Sequence, residues 1–402
     1  MKYRICALTG TRADYGLLRR TLLRLEKNDS VDLEVVITGS HLDNAFGRTA
    51  DEVIADGFTS YFEMPIPLED DTEGGMAFSA GAATQRFALY LEKRCPDLLL
   101  VLGDRYEALA AAVAAHLSLV PVAHISGGDV TEGAVDNAIR HSITKLSQLH
   151  FPGCAQSARR IVQMGEQPEH VFNVGEPGVE NCIHSEIMSR EELAKSLGSS
   201  LVLADYGVVT YHPVTLEAGG SLRHVKDLAD AMASFEDMGF VITLANADAG
   251  GRAINRFWET EGARHDNWIV FPSLGSLRYL SAVKHSCVVL GNSSSGIIEA
   301  PALGVPSVNI GNRQKGRMTP ELVVNCDTSS ESIRSAIQMA LSTEFYKKAV
   351  SAPSPYGDGT TSLKIERHIL DYLANGKLDL EKPFYDIPDE EWGVSCWQTA
   401  EE

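Results

Sequence analysis

The amino-acid sequence alternates short apolar runs with longer segments of helical periodicity over most of its length. This alternation is typical of βαβ units, in which helices join parallel strands. A glycine-rich or polar turn follows each run, so these turns are predicted at the carboxyl ends of the strands, where open α/β sheets bind ligands. The strands predicted in the first half are Arg4–Leu8, Leu33–Thr38, Leu98–Leu102 and Pro121–Ile125.

A second set of predicted strands begins near residue 200. Its members are Gly207–Tyr211, Phe240–Leu244, Trp268–Phe271, Cys287–Leu290 and Pro306–Ile310. Because 402 residues exceed what one compact core usually organises, we predict two doubly wound α/β domains, over residues 1–175 and 176–355, joined in the segment VGEPGVEN. Residues 356–375 are expected to form a helix that packs back on the first domain, and residues 376–402 an extended acidic tail.

The charge balance excludes some classes of partner. With 35 Lys and Arg against 54 Asp and Glu, the net charge is −19, which argues against nucleic acid and against anionic membranes. The longest apolar stretch, Ala108–Val122, is too short and too interrupted to span a bilayer. The seven cysteines are scattered without metal-ligand spacing, so we predict reduced thiols in a cytoplasm and neither a metal nor a cofactor.

The turn GNSSSGIIEA follows an apolar run and leads into a helical pattern. Its serines, Ser293, Ser294 and Ser295, can offer hydroxyl and backbone N–H groups at a helix N-terminus, where the helix dipole favours an anion. The chain lacks both a P-loop ending and a GxGxxG motif, so neither ATP hydrolysis nor nicotinamide binding is indicated. A diphosphate site and an ordinary serine cap both fit this pattern.

A locally basic segment follows that turn. Residues 301–318 contain Arg313, Lys315 and Arg317 and no acidic residue. Arginine is the natural clamp for a phosphate group, although such a cluster is also compatible with a solvated loop. Arg12, in the turn GTRADYG after the first strand, is expected to contact the same diphosphate from the other domain.

Acidic side chains follow the strands of the first half. We expect these aspartates, with neighbouring arginines and one histidine of the second half, to converge on a cleft between the domains. The residues concerned are Asp104, Asp129, Asp136, Arg105, Arg140 and His212. The alternatives are helix caps, a structural histidine and, for Asp136 and Arg140 at i and i+4, a surface ion pair.

Many short motifs agree with one known family. They are GTRADYG, TGSH, GDRYEA, HISGGDVTEGA, RHSITKLSQLHF, QMGE, YHPVT, NADAG, GNSSSGIIEAP and VNIGNRQKGR. In this order, from near residue 8 to near residue 320, they resemble the hydrolysing UDP-N-acetylglucosamine 2-epimerases of bacterial sialic-acid synthesis. The kinase half of the bifunctional animal enzyme has no counterpart here.

The resemblance implies a GT-B fold, with two Rossmann-like domains and the sugar nucleotide between them. It implies elimination of UDP, hydration of a glucal intermediate with inversion at C2, and release of N-acetylmannosamine from a homo-oligomer, a dimer or a tetramer. By position, Asp104 and Asp136 match acid/base residues, with His212 in the catalytic cleft. Glu299 would hold the ribose hydroxyls, Arg313 the diphosphate, and the remaining substrate contacts would come from Arg12, Arg105, Arg140, Ser293, Ser294 and Ser295.

One departure from the family pattern affects the substrate prediction. Where the animal enzyme has a glutamate in HIEGGE, this chain has Ser126 in HISGGD. A serine cannot act as a carboxylate base, so either Asp129 or a histidine such as His124 substitutes, or the sugar differs. The close alternative is therefore a 2-epimerase of a UDP-linked 2,4-diacetamido-trideoxyhexose from legionaminic-acid synthesis. A glycosyltransferase of the same fold is the distant one, and a nucleotide sensor would not need the acidic cluster.

Overall fold

A computed structural model describes residues 2–43, 48–67, 73–131, 135–214, 220–245, 251–375 and 380–388. Contacts divide the chain into two compact units. The first comprises the described parts of Met1–Asp129, Ala138–Gly175 and Thr360–Glu402, and the second those of Val130–Asn137 and Glu176–Gly359. The second unit thus extends past residue 355 and includes Asp136 and its neighbours, which we had placed in the first domain.

The first unit is built on a parallel six-stranded sheet in the order β3-β2-β1-β4-β5-β6. Its strands are β1 (Tyr3–Thr9), β2 (Val31–Thr38), β3 (Tyr61–Met64), β4 (Leu98–Leu102), β5 (Val122–Ile125) and β6 (Leu149–Phe151). The central strand β4 reads LLLVL and is buried along almost its whole length, as expected where helices cover both faces.

Within the described residues, six helices alternate with these strands. They are α1 (Arg12–Glu26), α2 (Ala50–Ala55), α3 (Glu73–Arg94), α4 (Tyr106–Leu117), α5 (Asp136–Leu146) and α6 (Ala155–Gln163), with short 3-10 turns at Gly39–Leu42 and Pro168–His170. Helix α1 begins at a capping box, in which Thr11 accepts from the backbone of Asp14 and the Asp14 carboxylate accepts from that of Thr11. Its buried leucines, Leu18, Leu22 and Leu25, pack against the β1–β2 face of the sheet.

The second unit repeats the architecture. Its parallel sheet has the order β12-β11-β10-β7-β8-β9, which is the order of the first sheet read from the other edge. The strands are β7 (Tyr206–Thr210), β8 (Gly239–Thr243), β9 (Trp268–Phe271), β10 (Val288–Gly291), β11 (Ser307–Ile310) and β12 (Val323–Cys326). Both units therefore have the strand order of dinucleotide-binding Rossmann domains.

Helices flank the second sheet in the same manner. They are α7 (Pro177–His184), α8 (Arg190–Leu197), α9 (Gly220–Ala233), α10 (Gly251–Gly262), α11 (Gly275–His285), α12 (Ser295–Ala302), α13 (Ser330–Ala340) and α14 (Thr343–Ala349), with a 3-10 turn at Leu201–Leu203. The last helix, α15 (Thr361–Ala374), belongs to the first unit and packs on α1. None of the described helices is both long and apolar enough to cross a membrane.

The predicted doubly wound fold class is confirmed, and three strands escaped sequence analysis. Strands β3 and β12 are short and half exposed, and β6 has only three residues, so none shows a clear apolar run. Of the predicted acidic tail, residues 380–388 form no helix or strand and belong to the first unit, where Lys382 contacts Ser147. The remainder of the tail, and the motif NADAG, lie outside the described residues.

Candidate active site

Some of the predicted site residues stand at the topological switch point of each sheet, whereas Asp129, Asp136 and Arg140 follow β5 and Arg313 follows β11. In the first sheet β1 and β4 are neighbours whose following helices lie on opposite sides, and in the second sheet β7 and β10 have this relationship. Arg12 follows β1 and Asp104 follows β4, whereas His212 follows β7 and the serine turn follows β10. Each unit therefore presents some of its candidate residues where a Rossmann-like sheet binds ligands.

Arg140 is the centre of the acidic cluster in the first unit. Its guanidinium donates to Asp104 Oδ2 through Nη2, and to the backbone carbonyl of Asp129 through Nη1 at 3.0 Å. Arg140 is buried, whereas the Asp104 side chain keeps a quarter of its surface exposed. The charge-assisted contact fixes the orientation of the Asp104 carboxylate and leaves part of it accessible to a ligand. Asp136, the first residue of α5, is exposed.

Two groups considered as replacements for a carboxylate at Ser126 are already engaged. His124 is fully buried, with Nε2 2.8 Å from the carbonyl of Gly103 and Nδ1 3.2 Å from Thr144 Oγ1. Burial lowers the pKa of His124 to about 3, so this histidine is a neutral structural residue at pH 7 and not an accessible base. The buried carboxylate of Asp129 accepts the Ser157 hydroxyl.

Ser126 itself has an unusual backbone conformation, with φ at +58° directly after β5. Its amide donates to the carbonyl of Phe151 at 2.9 Å. A residue other than glycine in this left-handed region has a conformational free energy about 1–2 kcal/mol less favourable. Such strain is characteristic of functional turns, and no sequence pattern had indicated it.

Two arginines expected to contact the substrate are engaged in ion pairs. Arg105 donates to both oxygens of the buried Glu107, from Nη2 at 2.9 Å and from Nε at 3.1 Å. Arg12 lies 3.2 Å from Glu52, and both of those side chains are about half exposed. An exposed pair of this kind is worth little, so Arg12 can exchange Glu52 for another anion at small cost, whereas Arg105 is anchored.

Asn292 connects the loops of the second unit, a role that sequence analysis missed. Its fully buried side chain accepts from the backbone N–H of His212 at 2.7 Å and donates to the carbonyl of His212 at 2.8 Å. The backbone carbonyl of Asn292 accepts from Arg313 at 3.0 Å and from Gln314 at 2.9 Å. One asparagine therefore joins the histidine turn to the basic loop.

Gly291, just before Asn292, lets the end of β10 approach the neighbouring strand β7 closely. Its φ is +132°, and a Cβ atom would lie 1.9 Å from the carbonyl oxygen of Thr210 on β7. Only glycine is compatible with this contact. Both residues stand in the motif GNSSSG, but sequence analysis assigned the function of this turn to its serine hydroxyls.

His212 is 8% exposed. Burial, and secondarily the positive charge of Arg313, lower its pKa to about 4. The imidazole is therefore neutral at pH 7, and its Nδ1 has no hydrogen-bond partner within the described part of the chain. A neutral ring can donate or accept a hydrogen bond at a ligand without adding a second cation beside Arg313.

The serine turn divides into two parts. Ser293 and Ser294 are half-buried before the first turn of α12, where the helix dipole favours an anion. Ser295 is buried, and its hydroxyl accepts from Tyr279 at 2.8 Å, so it stabilises the unit itself. Glu299 lies one turn further along α12, and burial raises the pKa of its carboxyl group, opposed by a hydrogen bond with Ser295.

Comparison with known proteins relates this chain to a family. A family model described as UDP-N-acetylglucosamine 2-epimerase matches residues 23–370. The chain is 34% identical over 391 residues to polysialic acid biosynthesis protein P7 of Escherichia coli, with 96% of this chain and 98% of that protein covered. It is 35% identical to UDP-N,N'-diacetylbacillosamine 2-epimerase (hydrolyzing) of Legionella pneumophila, with 89% and 93% covered.

The fold is also that of solved structures. The crystal structure of UDP-GlcNAc 2-epimerase from Neisseria meningitidis bound to UDP-GlcNAc matches with a TM-score of 0.76 at 19% identity, covering 92% of this chain and 100% of that one. This similarity confirms the GT-B class of fold.

Proposed function

Because the chain belongs to the UDP-N-acetylglucosamine 2-epimerase family, we propose that it is a hydrolysing 2-epimerase that converts UDP-N-acetylglucosamine and water into N-acetylmannosamine and UDP. The reaction needs acid/base groups for a carbon-bound proton and a site for the departing diphosphate. The proposal is supported by the Asp104 carboxylate after β4, which Arg140 holds, and by the serine turn after β10, where Arg313 donates to the backbone of Asn292.

Two carboxylates carry out the proposed proton transfers. A carboxylate removes the proton at C2, and that electron pair forms the C1–C2 double bond as the bond from C1 to the UDP oxygen breaks. Water then adds its hydroxyl to C1, while C2 takes a proton on the opposite ring face. We assign these transfers to Asp104 and Asp136, with Arg140 orienting Asp104. Asp129 supports the arrangement through its backbone carbonyl on Arg140.

The second unit carries the proposed UDP site. Arg313 and the turn formed by Ser293 and Ser294 hold the diphosphate, and Glu299 holds the ribose hydroxyls. His212, neutral and with an Nδ1 that has no hydrogen-bond partner among the described residues, adds a hydrogen bond near the leaving group. These groups stabilise the charge that UDP acquires as its bond to C1 breaks.

A second candidate substrate is a UDP-linked 2,4-diacetamido-2,4,6-trideoxyhexose. It is favoured by Ser126, which replaces a carboxylate in the turn we expect beside the sugar, and by the similarity to the UDP-N,N'-diacetylbacillosamine 2-epimerase of Legionella pneumophila. Both candidates share the elimination chemistry and differ at C4 and C6 of the sugar.

The deciding experiment incubates the protein separately with each UDP-sugar and measures UDP release and the free sugar by NMR. The proposal predicts faster release from UDP-N-acetylglucosamine, with N-acetylmannosamine as the product. Faster turnover of the diacetamido sugar would assign the second substrate. Stable binding of both, with no UDP released, would refute the enzyme assignment.

We further propose that the protein acts as a homo-oligomer in the cytoplasm. Large apolar side chains are exposed on and just after α3 and α4, and a second copy of the chain could cover them. They are Phe78, Leu89, Leu117 and Leu119. Analytical ultracentrifugation tests this directly, since a monomer at micromolar concentration would contradict it. The cytoplasmic location is supported by the unpaired state of the six cysteines in the described residues.

A further inference from the structure

The motif QMGE, residues 163–166, has no part in the proposed chemistry, yet it lies at an unusual polar site. Glu166 is 1% exposed and contacts three basic side chains: Lys145 Nζ at 2.6 Å, Lys382 Nζ at 2.5 Å and His150 Nε2 at 3.0 Å. Burial raises the pKa of Glu166, but the hydrogen bonds and charges of these partners outweigh it and lower the pKa to about 2. The carboxylate is therefore ionised at neutral pH.

Lys382 reaches this site from the segment 380–388. Beyond Glu166, its ammonium lies 2.6 Å from the carbonyl oxygen of Ser147, 2.7 Å from that of Lys145 and 3.4 Å from that of Thr144. These three carbonyls belong to the C-terminal end of α5, where the last turn of a helix has no intrahelical donors. A cation placed there also interacts favourably with the helix dipole.

The charges around Glu166 indicate that Lys382 does more than neutralise this carboxylate. Lys145 already supplies one positive charge to Glu166, and burial lowers the pKa of His150, so the imidazole adds none at pH 7. The second ammonium is therefore not needed to neutralise the carboxylate. Its remaining hydrogen-bond partners are the end of α5.

The rest of the segment holds Lys382 in place. The amide of Tyr385 donates to the carbonyl of Gly165 at 2.9 Å, and Gln167 Nε2 donates to the carbonyl of Pro383 at 3.0 Å. The Phe384 ring lies over Gly165, where a Cβ atom would be 2.3 Å from the ring, and it also approaches Lys145 Nζ. Gly165 therefore makes room for this ring.

Helix α5 connects the segment to the chemistry. It begins at Asp136 and carries Arg140, which holds Asp104, and its Thr144 contacts His124. We propose that Lys382 is a positioning residue, which fixes the C-terminal end of α5 and thereby the placement of Asp136 and Arg140. This inference rests on the proposed function, because it assigns to the C-terminal segment an effect on turnover.

The test compares Lys382→Met, which keeps the apolar stem, with Lys382→Arg, which keeps the charge. Lys195→Met is the matched control, since Lys195 is an exposed lysine in the last turn of α8, a helix without site residues. We expect kcat to fall about tenfold in Lys382→Met, with KM and the Kd for UDP within twofold of wild type. Lys382→Arg should recover most of kcat, and the control should match wild type.

Hydrogen exchange provides a readout that needs no turnover. Amides at the end of α5 should exchange faster in Lys382→Met, while those of β1 and β4 keep their protection. The inference would be overturned if Lys382→Met showed wild-type exchange in α5 or a wild-type kcat. It would also be overturned if kcat, UDP affinity and the thermal midpoint all fell together in this variant, because that pattern indicates a general loss of structure. If Lys382→Met does not fold, Phe384→Ala keeps the ammonium, loosens the segment and should give a smaller change of the same kind.

The exchange data also separate this inference from the proposed function. A wild-type protein that turns over neither UDP-sugar would refute the function, while the α5 amides would still decide whether Lys382 fixes the helix.

Discussion

Replacing Asn292 by alanine tests whether one buried side chain joins the functional loops of the second unit. The change removes the acceptor at 2.7 Å from the His212 N–H and the donor at 2.8 Å from the His212 carbonyl. Both backbone groups would remain buried without these partners. Each such group costs about 1–3 kcal/mol, so we expect the free energy of unfolding to fall by about 2–6 kcal/mol. That is a large fraction of the 5–15 kcal/mol typical of a folded domain.

Asn309→Ala is the matched control. Asn309 is also a buried asparagine of the second unit; it lies on β11 and donates at 2.8 Å to Asn325, an exposed residue that water can solvate. Losing this bond should cost about 1 kcal/mol. Urea unfolding can follow the second unit alone, because Trp258 and Trp268 are buried there and the other two tryptophans can be changed to phenylalanine.

The refuting result is equally clear. If Asn292→Ala is no less stable than Asn309→Ala, the Asn292 side chain does not hold the His212 backbone groups as we propose, and this account of the histidine turn is wrong. If the Asn292 side chain does hold them, the same variant should also bind UDP more weakly, as measured by calorimetry.

Three further predictions concern the reaction groups and pH. Asp104→Asn or Asp136→Asn should reduce kcat about 10²-fold or more, and an unchanged rate would limit that residue to a structural role. Arg313→Ala should chiefly weaken UDP binding in calorimetry, and normal affinity would refute the diphosphate assignment. The pKa values of His212 and His124 lie near 4 and 3, below the ordinary 6.5, so both must be protonated on unfolding in acid. The free energy of unfolding should therefore fall as pH drops from about 6.5 to 4, and a urea midpoint that rises over this range would contradict both assignments.

The parts of this fold that sequence analysis predicted are those with a strong local signal. Central strands such as Leu98–Leu102 are continuous apolar runs, and the turns after them carry the glycines and charges that a switch point needs. Strands β3, β6 and β12 stayed hidden because their residues are few or only partly buried, and tertiary pairing rather than periodicity defines them.

The difference between local sequence signals and tertiary contacts also explains which candidate site residues sequence analysis could predict. Asp104, Arg140 and His212 were predicted as site residues because polar residues after strands suggest a functional role, and they stay predictions. Asn292 was missed because its role is to satisfy backbone groups 80 residues away, which no local pattern reveals. The ion pair of Arg140 with Asp104 and the contact of Lys382 with α5 likewise join distant parts of the chain. Such contacts become visible only in three dimensions.

The central claim is elimination of UDP followed by hydration, and one measurement tests it most directly. The protein is incubated with UDP-N-acetylglucosamine in D2O, beside a sample without protein, and the free sugar is analysed by NMR. Because C2 loses its proton and regains one from solvent, the account predicts N-acetylmannosamine carrying deuterium at C2. Release of N-acetylglucosamine, or of N-acetylmannosamine that keeps hydrogen at C2, would contradict it.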